Sequence, residues 1–135
     1  VNVVPDRCQL WVDRRLLPQE DPKGAQEEFL RRLEAVGDFE VEALLALSSP
    51  GMEVSPQEPI VRRMEALVQT VRGSAALKGV PYGSDAGKLV ASGIPAVVFG
   101  PGSIRQAHTA EEFLEVAQLE EAIAVYQRLL TEEWP

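Results

Sequence analysis

The sequence predicts an α/β protein in which strands and helices alternate along the chain. Residues 8–17 alternate apolar and polar side chains, with Leu10 and Val12 on one face, as a half-exposed strand does. Residues 94–99 form a continuous apolar run bounded by glycines, which is typical of a buried parallel strand. Elsewhere apolar residues recur three and four apart, the spacing of amphipathic helices. With 45% hydrophobic and 25% charged residues, a chain of 135 residues can bury a core of ordinary size.

The first part of the chain predicts a unit of strand, helix and strand. The strand over residues 8–17 is followed by a proline-rich break and then by a helix over residues 25–36, which Gly37 ends. A second strand is predicted over residues 39–47, where apolar side chains alternate with Glu40 and Glu42. Its apolar face consists of Phe39, Val41, Ala43, Leu45 and Leu47.

A linker separates this unit from the rest of the chain. Residues 49–59 contain three prolines and one glycine and show little periodicity, which is the composition of a connecting segment. The sequence therefore predicts two domains, one over residues 1–55 and one over residues 56–135.

The second part predicts three helices around one strand. A helix starts at Ile60 and ends at Gly73, and a short helix follows Ser84 or Asp85 as its N-cap. After the strand at residues 94–99 comes a last helix, with one face expected to pack on the sheet. That face consists of Val116, Leu119, Ile123, Tyr126 and Leu130.

Composition excludes several classes of protein. A formal net charge of −8 argues against a nucleic-acid surface, which needs clustered Lys and Arg. The apolar runs are far shorter than the roughly 20 residues that cross a bilayer, so we expect no membrane association. The single cysteine, Cys8, rules out an internal disulfide and fits a reducing, cytoplasmic location; its simplest role is that of a small apolar strand residue.

Two residues are candidates for chemistry from their positions alone. His108, the only histidine, lies in the segment AHTAEEF shortly after the predicted buried strand, where α/β proteins place their sites. It is either a ligand or catalytic group, or a surface histidine. Asp85 is either a helix N-cap or a site residue. The segment GSDAGK lacks the spacing of a phosphate-binding loop, and no HExxH, GxSxG or CxxC motif is present.

Five motifs in order resemble a known enzyme family. They are NVVPD at residues 2–6, VDRRLLP at 12–18, GSDA at 83–86, GIPAVVFGPG at 93–102 and AHTAEEF at 107–113. Together they are similar to the carboxyl-terminal part of the zinc-dependent amidohydrolases and exopeptidases typified by acetylornithine deacetylase, succinyl-diaminopimelate desuccinylase, aminoacylase and glutamate carboxypeptidase.

The resemblance implies a two-domain enzyme and explains why each part of the chain looks incomplete. In such an enzyme a ferredoxin-like α+β lid domain, often the homodimer interface, is inserted into an α/β catalytic domain with a parallel sheet. The catalytic domain carries two zinc ions, which cobalt or manganese could replace. Residues 1–55 would then be part of the lid, and residues 56–135 the carboxyl-terminal part of the catalytic domain.

The resemblance also assigns roles to individual residues. His108 corresponds to the family's last zinc ligand, and zinc can activate a bridging water for attack on an amide. Glu112 is expected to support the His108 loop rather than to bind metal. Asn2 and Arg15 match positions that contact substrate, although Arg15 could instead be an exposed residue with a surface ion pair.

The resemblance also assigns a role to the turn at residues 100–102, the glycine turn. In the stretch GPG, Gly100 and Gly102 are expected to bring backbone groups close to substrate, because glycines let the main chain approach where side chains would clash.

The family's remaining features are missing from this chain. The resemblance places a His-x-Asp motif, a bridging aspartate, a glutamate pair and a lid histidine before residue 2, so we expect no catalytic residue here and no activity in the chain alone. The expected function is that of a fragment of an enzyme that cleaves the amide bond of N-acylated amino acids, acting together with its missing amino-terminal part. Alternatives are a dipeptidase or carboxypeptidase, a shortened chain with a dimerisation or binding role, and a fragment without a site.

Overall fold

The computed structural model describes residues 4–38 and 40–134. Four helices lie in these ranges: α1 (Pro22–Glu34), α2 (Pro59–Arg72), α3 (Ala86–Ala91) and α4 (Val116–Thr131). All four occur where the sequence predicts a helix, α3 from its N-cap and the others from apolar periodicity, so that part of the prediction is confirmed. None of the described helices is long and apolar enough to span a bilayer.

The ends of α1 and α2 follow from local sequence signals. Asp21 caps α1, because its carboxylate accepts a hydrogen bond of 2.7 Å from the Gly24 amide, and Pro22 occupies the first turn, where no amide donor is needed. The helix therefore starts three residues before the predicted residue 25. Gly73 ends α2 with φ 77° and donates its amide to the carbonyl of Gln69, as predicted.

The core is the contact between α2 and α4. Its buried residues are Val61, Met64 and Leu67 of α2 with Ala122 and Val125 of α4. Two residues of the extended segment 94–99, Val97 and Phe99, pack against this pair of helices. The segment thus covers the core although it is not part of a sheet.

The predicted α/β fold class is wrong for the described residues. They contain no strand, neither in the segment expected to belong to a ferredoxin-like lid nor in the segment expected to form a parallel sheet. Segments 8–17, 40–47 and 94–99 are extended or irregular, and among the described residues no backbone hydrogen bond joins any two of them. A strand requires a neighbour to complete its ladder, so alternation of apolar residues is not sufficient. Without that neighbour both faces of segment 8–17 stay open, with Leu10 72% and Trp11 83% exposed.

The predicted packing face of α4 is also wrong, except that Tyr126 contacts Phe99 of segment 94–99. The five residues of that face are all exposed to a large degree, and Ala122, Val125 and Leu129 face α2 instead. The two stripes lie side by side on the helix, each with spacings of three and four, so periodicity alone does not distinguish them. The contact with α2, which is distant in sequence, decides which stripe is buried.

The predicted linker is closely packed at residues 50–51. A Cβ placed on Gly51 would lie 2.7 Å from the backbone of Leu17 and Pro18, and one placed on Gly87 of α3 would lie 2.7 Å from the carbonyl oxygen of Pro50. Glycine is therefore required sterically at both positions. The division into domains at residues 55 and 56 stays a prediction.

Candidate functional site

His108 lies on an irregular loop of successive turns between α3 and α4. Its φ is 63°, which makes it the only non-glycine residue with a positive φ in the described ranges. A side chain with a Cβ is disfavoured in this left-handed region by roughly 1–2 kcal/mol, although histidine is found there more often than most residues. Strain of this kind often accompanies a functional position. The His108 side chain is exposed on this loop.

Glu112 fixes the backbone of this loop. Its Oε2 atom accepts a hydrogen bond of 3.0 Å from the amide of His108. The amide of Glu112 in turn donates to the carbonyl of Thr109 at 3.3 Å, which closes a turn over residues 109–112 directly after His108. This geometry agrees with the expectation that Glu112 supports the loop.

The described residues do not form a zinc site by themselves. No group of three or more His, Cys, Asp or Glu side chains is placed to share a metal ion within the part of the chain that the structure describes. Zinc in proteins takes three or four protein ligands, so one exposed imidazole is not sufficient. His108 is thus a candidate ligand without the rest of its site.

The glycine turn lines a small cleft between α2 and α4. The cleft has a volume of about 100 Å³, and its lining includes Gly100, Pro101 and Gly102 but not His108. Gly102 has φ 93°, and its amide donates to Gln118 Oε1 of α4 at 2.9 Å. Apart from Gly100 and its two chain neighbours, no described residue has an atom within 4 Å of a Cβ placed on Gly100, so a ligand can approach the exposed backbone there.

Two adjacent arginines have different environments. Arg14 donates to Glu20 Oε1 at 2.7 Å and to Glu28 Oε2 at 3.1 Å, which attaches the turn at residues 14–20 to α1. These two carboxylates raise the pKa of Arg14, Glu28 having the larger effect. Among the described residues, Arg15 forms an ion pair with Asp13 alone, at 3.2 Å, and its side chain is 67% exposed. A surface ion pair, the alternative raised from the sequence, is what Arg15 makes in this structure.

The carboxylates that bind Arg14 are shifted toward their charged forms. The pKa of Glu20 is lowered mainly by the hydrogen bond from the Leu17 amide, with Arg14 adding to the effect. The pKa of Glu28 is lowered first by Arg32 and then by Arg14. Sequence reasoning missed this group of residues. The available signal was the spacing of Glu28 and Arg32, four apart on a helix.

Asp85 occupies the N-cap position of α3 but does not cap it with its side chain. The carboxylate instead accepts a hydrogen bond of 2.7 Å from Lys88 Nζ, which lowers the pKa of Asp85.

Of the other predicted site residues, Asn2 lies outside the described residues. Arg15 lies beside Gly83 of the GSDA motif, and neither Arg15 nor His108 lines the cleft at the glycine turn.

Comparison with known proteins decides the family. The model of peptidase family M20/M25/M40 matches residues 4–132, which is nearly the whole chain and includes four of the five motifs in full. The chain belongs to peptidase family M20/M25/M40. The resemblance drawn from the motifs is thereby confirmed.

Individual relatives within the M20/M25/M40 family are distant. Acetylornithine deacetylase of Myxococcus xanthus is 31% identical over 94% of this chain and 33% of its own length. N-formyl-4-amino-5-aminomethyl-2-methylpyrimidine deformylase of Bacillus subtilis is 29% identical over 87% of this chain and 32% of its own length. N-acetyl-L-citrulline deacetylase of Xanthomonas campestris is 29% identical over 96% of this chain and 35% of its own length.

This M20/M25/M40 chain spans about a third of the length of the curated relatives it matches. No solved structure matches it.

Proposed function

We propose that this chain is the part of a metal-dependent amide hydrolase that supplies one zinc ligand, His108, and one substrate-binding side chain, Arg15. The observation that carries the proposal is the family match over residues 4–132. The geometry of the loop is consistent with it, since His108 has a positive φ and its amide donates to Glu112. The names of three relatives describe removal of an acetyl or formyl group, which supports an acylated nitrogen as the reacting group.

The proposed substrate is an N-acylated amino acid. Arg15 has a planar guanidinium that suits a carboxylate, and its ion pair with Asp13 is exposed on both sides. Exposed pairs of this kind are worth little, so a substrate carboxylate can replace Asp13 at small cost. Gly100 would offer its open backbone to the substrate, and Asn2 is proposed as a further polar contact on the basis of the family motif alone.

The complete enzyme needs further residues. Because the described residues supply only one candidate ligand, we propose that the other zinc ligands and the general base belong to a portion of the protein outside these 135 residues. The chain by itself should therefore hydrolyse no amide and retain no zinc.

Metal analysis tests the ligand assignment. After dialysis against a mild chelator, the complete enzyme should lose about one equivalent of zinc and nearly all activity on His108→Ala substitution, while circular dichroism stays unchanged. Arg105→Ala, on the same loop, is the control and should retain both. Stoichiometric zinc in the isolated chain would contradict the proposal.

Substrate profiling tests the second part of the proposal. N-acetyl, N-succinyl and N-formyl amino acids would be compared with dipeptides and with amides that lack a carboxylate. Arg15→Ala should reduce kcat/KM about tenfold, or roughly 1.4 kcal/mol, for carboxylate-bearing substrates only. A preference for dipeptides would instead indicate a peptidase, and an equal loss for amides without a carboxylate would overturn the role of Arg15.

A further inference from the structure

Arg15 and Gly83 are far apart in sequence but adjacent in space. The Arg15 Nη1 atom lies 3.3 Å from the point that a Cβ on Gly83 would occupy, and within the described ranges no other atom lies within 4 Å of that point apart from Gly83 and its chain neighbours. Two of the family motifs, DRR at residues 13–15 and GSDA at residues 83–86, therefore meet at this contact.

The backbone does not require glycine at position 83. The described glycines with positive φ are Gly73, Gly93 and Gly102, and Gly83 is not among them. An L-residue could adopt this backbone conformation without strain. The absent side chain thus matters for the space it leaves, and that space is next to the guanidinium of Arg15.

We infer that Gly83 is a positioning residue for Arg15, a conclusion that rests on the proposed role of Arg15 in binding a substrate carboxylate. The vacant space lets the guanidinium lie beside Gly83, while Nη2 faces Asp13 at 3.2 Å and most of the side chain stays exposed. A methyl group at position 83 would shift Nη1 by a few tenths of an ångström, and a β-branched side chain would displace it. Productive geometry at a binding site tolerates displacements of only about 0.5 Å.

The spatial contact can be tested in the 135-residue chain without any activity. We would record the Nε–Hε cross-peaks of the arginine side chains by NMR for Gly83→Val and for Gly79→Val. Gly79 is the matched control, because a Cβ there meets nothing within 4 Å and its φ is not positive. The Arg15 cross-peak should shift in Gly83→Val alone, with the Arg14 cross-peak as an internal reference. An unshifted Arg15 cross-peak in Gly83→Val would overturn the inference.

Kinetics of the complete enzyme test the positioning role. Gly83→Val should raise KM for an N-acyl amino acid about tenfold with little change in kcat, and Gly83→Ala should have a smaller effect. In the Arg15→Ala background, Gly83→Val should have no further effect, because the guanidinium it displaces is already absent. A full additional loss in that background would show that Gly83 acts independently of Arg15.

The two experiments separate the inference from the proposed function. If the complete enzyme hydrolyses no carboxylate-bearing amide, the proposed function fails and the positioning role fails with it. The NMR result then still shows whether the guanidinium of Arg15 lies beside Gly83.

Discussion

The hydroxyl of Tyr126 on α4 donates a hydrogen bond of 2.9 Å to the carbonyl oxygen of Phe99. The two rings also meet edge to face, with centroids 5.5 Å apart and an interplanar angle of 68°. Phe99 packs on the α2–α4 core and lies immediately before the glycine turn. This pair therefore fixes the point at which the extended segment leaves the core and enters the candidate site.

Removing the Tyr126 hydroxyl should weaken this attachment. Tyr126→Phe retains the ring contact but leaves the Phe99 carbonyl without that donor, so we expect a loss of about 1 kcal/mol in the free energy of unfolding. Urea denaturation would measure the change. Tyr82→Phe is the control, because the Tyr82 hydroxyl makes no hydrogen bond within the described residues, and it should have no effect.

Two helical glycines should respond to alanine with opposite signs. Gly87→Ala would place a Cβ 2.7 Å from the Pro50 carbonyl oxygen, so the backbone must move and the chain should lose stability. Gly24→Ala in α1 meets only an ordinary contact, 3.5 Å from Asp21 Oδ2, and should stabilise by about 0.5–1 kcal/mol through helix propensity. Thermal melting of both variants checks this, and a stable Gly87→Ala would show that residues 50 and 87 do not touch.

The sequence predicts the helices of this chain far better than its extended segments, for a physical reason. A helix makes its hydrogen bonds within one segment, and its ends follow from nearby residues such as Asp21 and Gly73. A strand is defined by a second segment, and neither segment 8–17 nor segment 94–99 has a paired neighbour among the described residues. The role of His108 as a ligand stays a prediction from the motif, whereas the contact of Arg15 with Gly83 depends on tertiary structure and could not be predicted.

The attachment of Arg14 to α1 should depend on pH. The pKa values of Glu20 and Glu28 are lowered in the folded chain, so their contribution to stability is complete above the ordinary glutamate pKa of about 4.3. It is lost as the pH falls through the lowered values, because the protonated carboxyls no longer pair with Arg14. We therefore expect residues 14–20 to detach from α1 in acid, before the α2–α4 core unfolds.

Carboxyl titrations by NMR can separate the two glutamates. Arg14→Met should raise the pKa of both, although Glu20 keeps its hydrogen bond from the Leu17 amide and Glu28 keeps its pairing with Arg32. Arg32→Met should raise the pKa of Glu28 and leave Glu20 nearly unchanged. Unchanged titration of both glutamates in Arg14→Met would refute the attachment.

The strained backbone of His108 should be detectable as a stability cost. His108→Gly relieves the left-handed conformation, worth roughly 1–2 kcal/mol, but gives the unfolded chain more freedom, which offsets about 0.4–1 kcal/mol. The variant should therefore be as stable as the parent or more stable by up to about 1.6 kcal/mol, because the imidazole is exposed and contributes little packing. His108→Ala keeps a Cβ and should gain nothing.

Glu112→Ala should lose stability, since the His108 amide then lacks its acceptor at 3.0 Å. Urea titrations of the three variants would measure these differences. If His108→Gly were clearly less stable than His108→Ala, the left-handed conformation would carry no detectable strain, and no strain could be attributed to function.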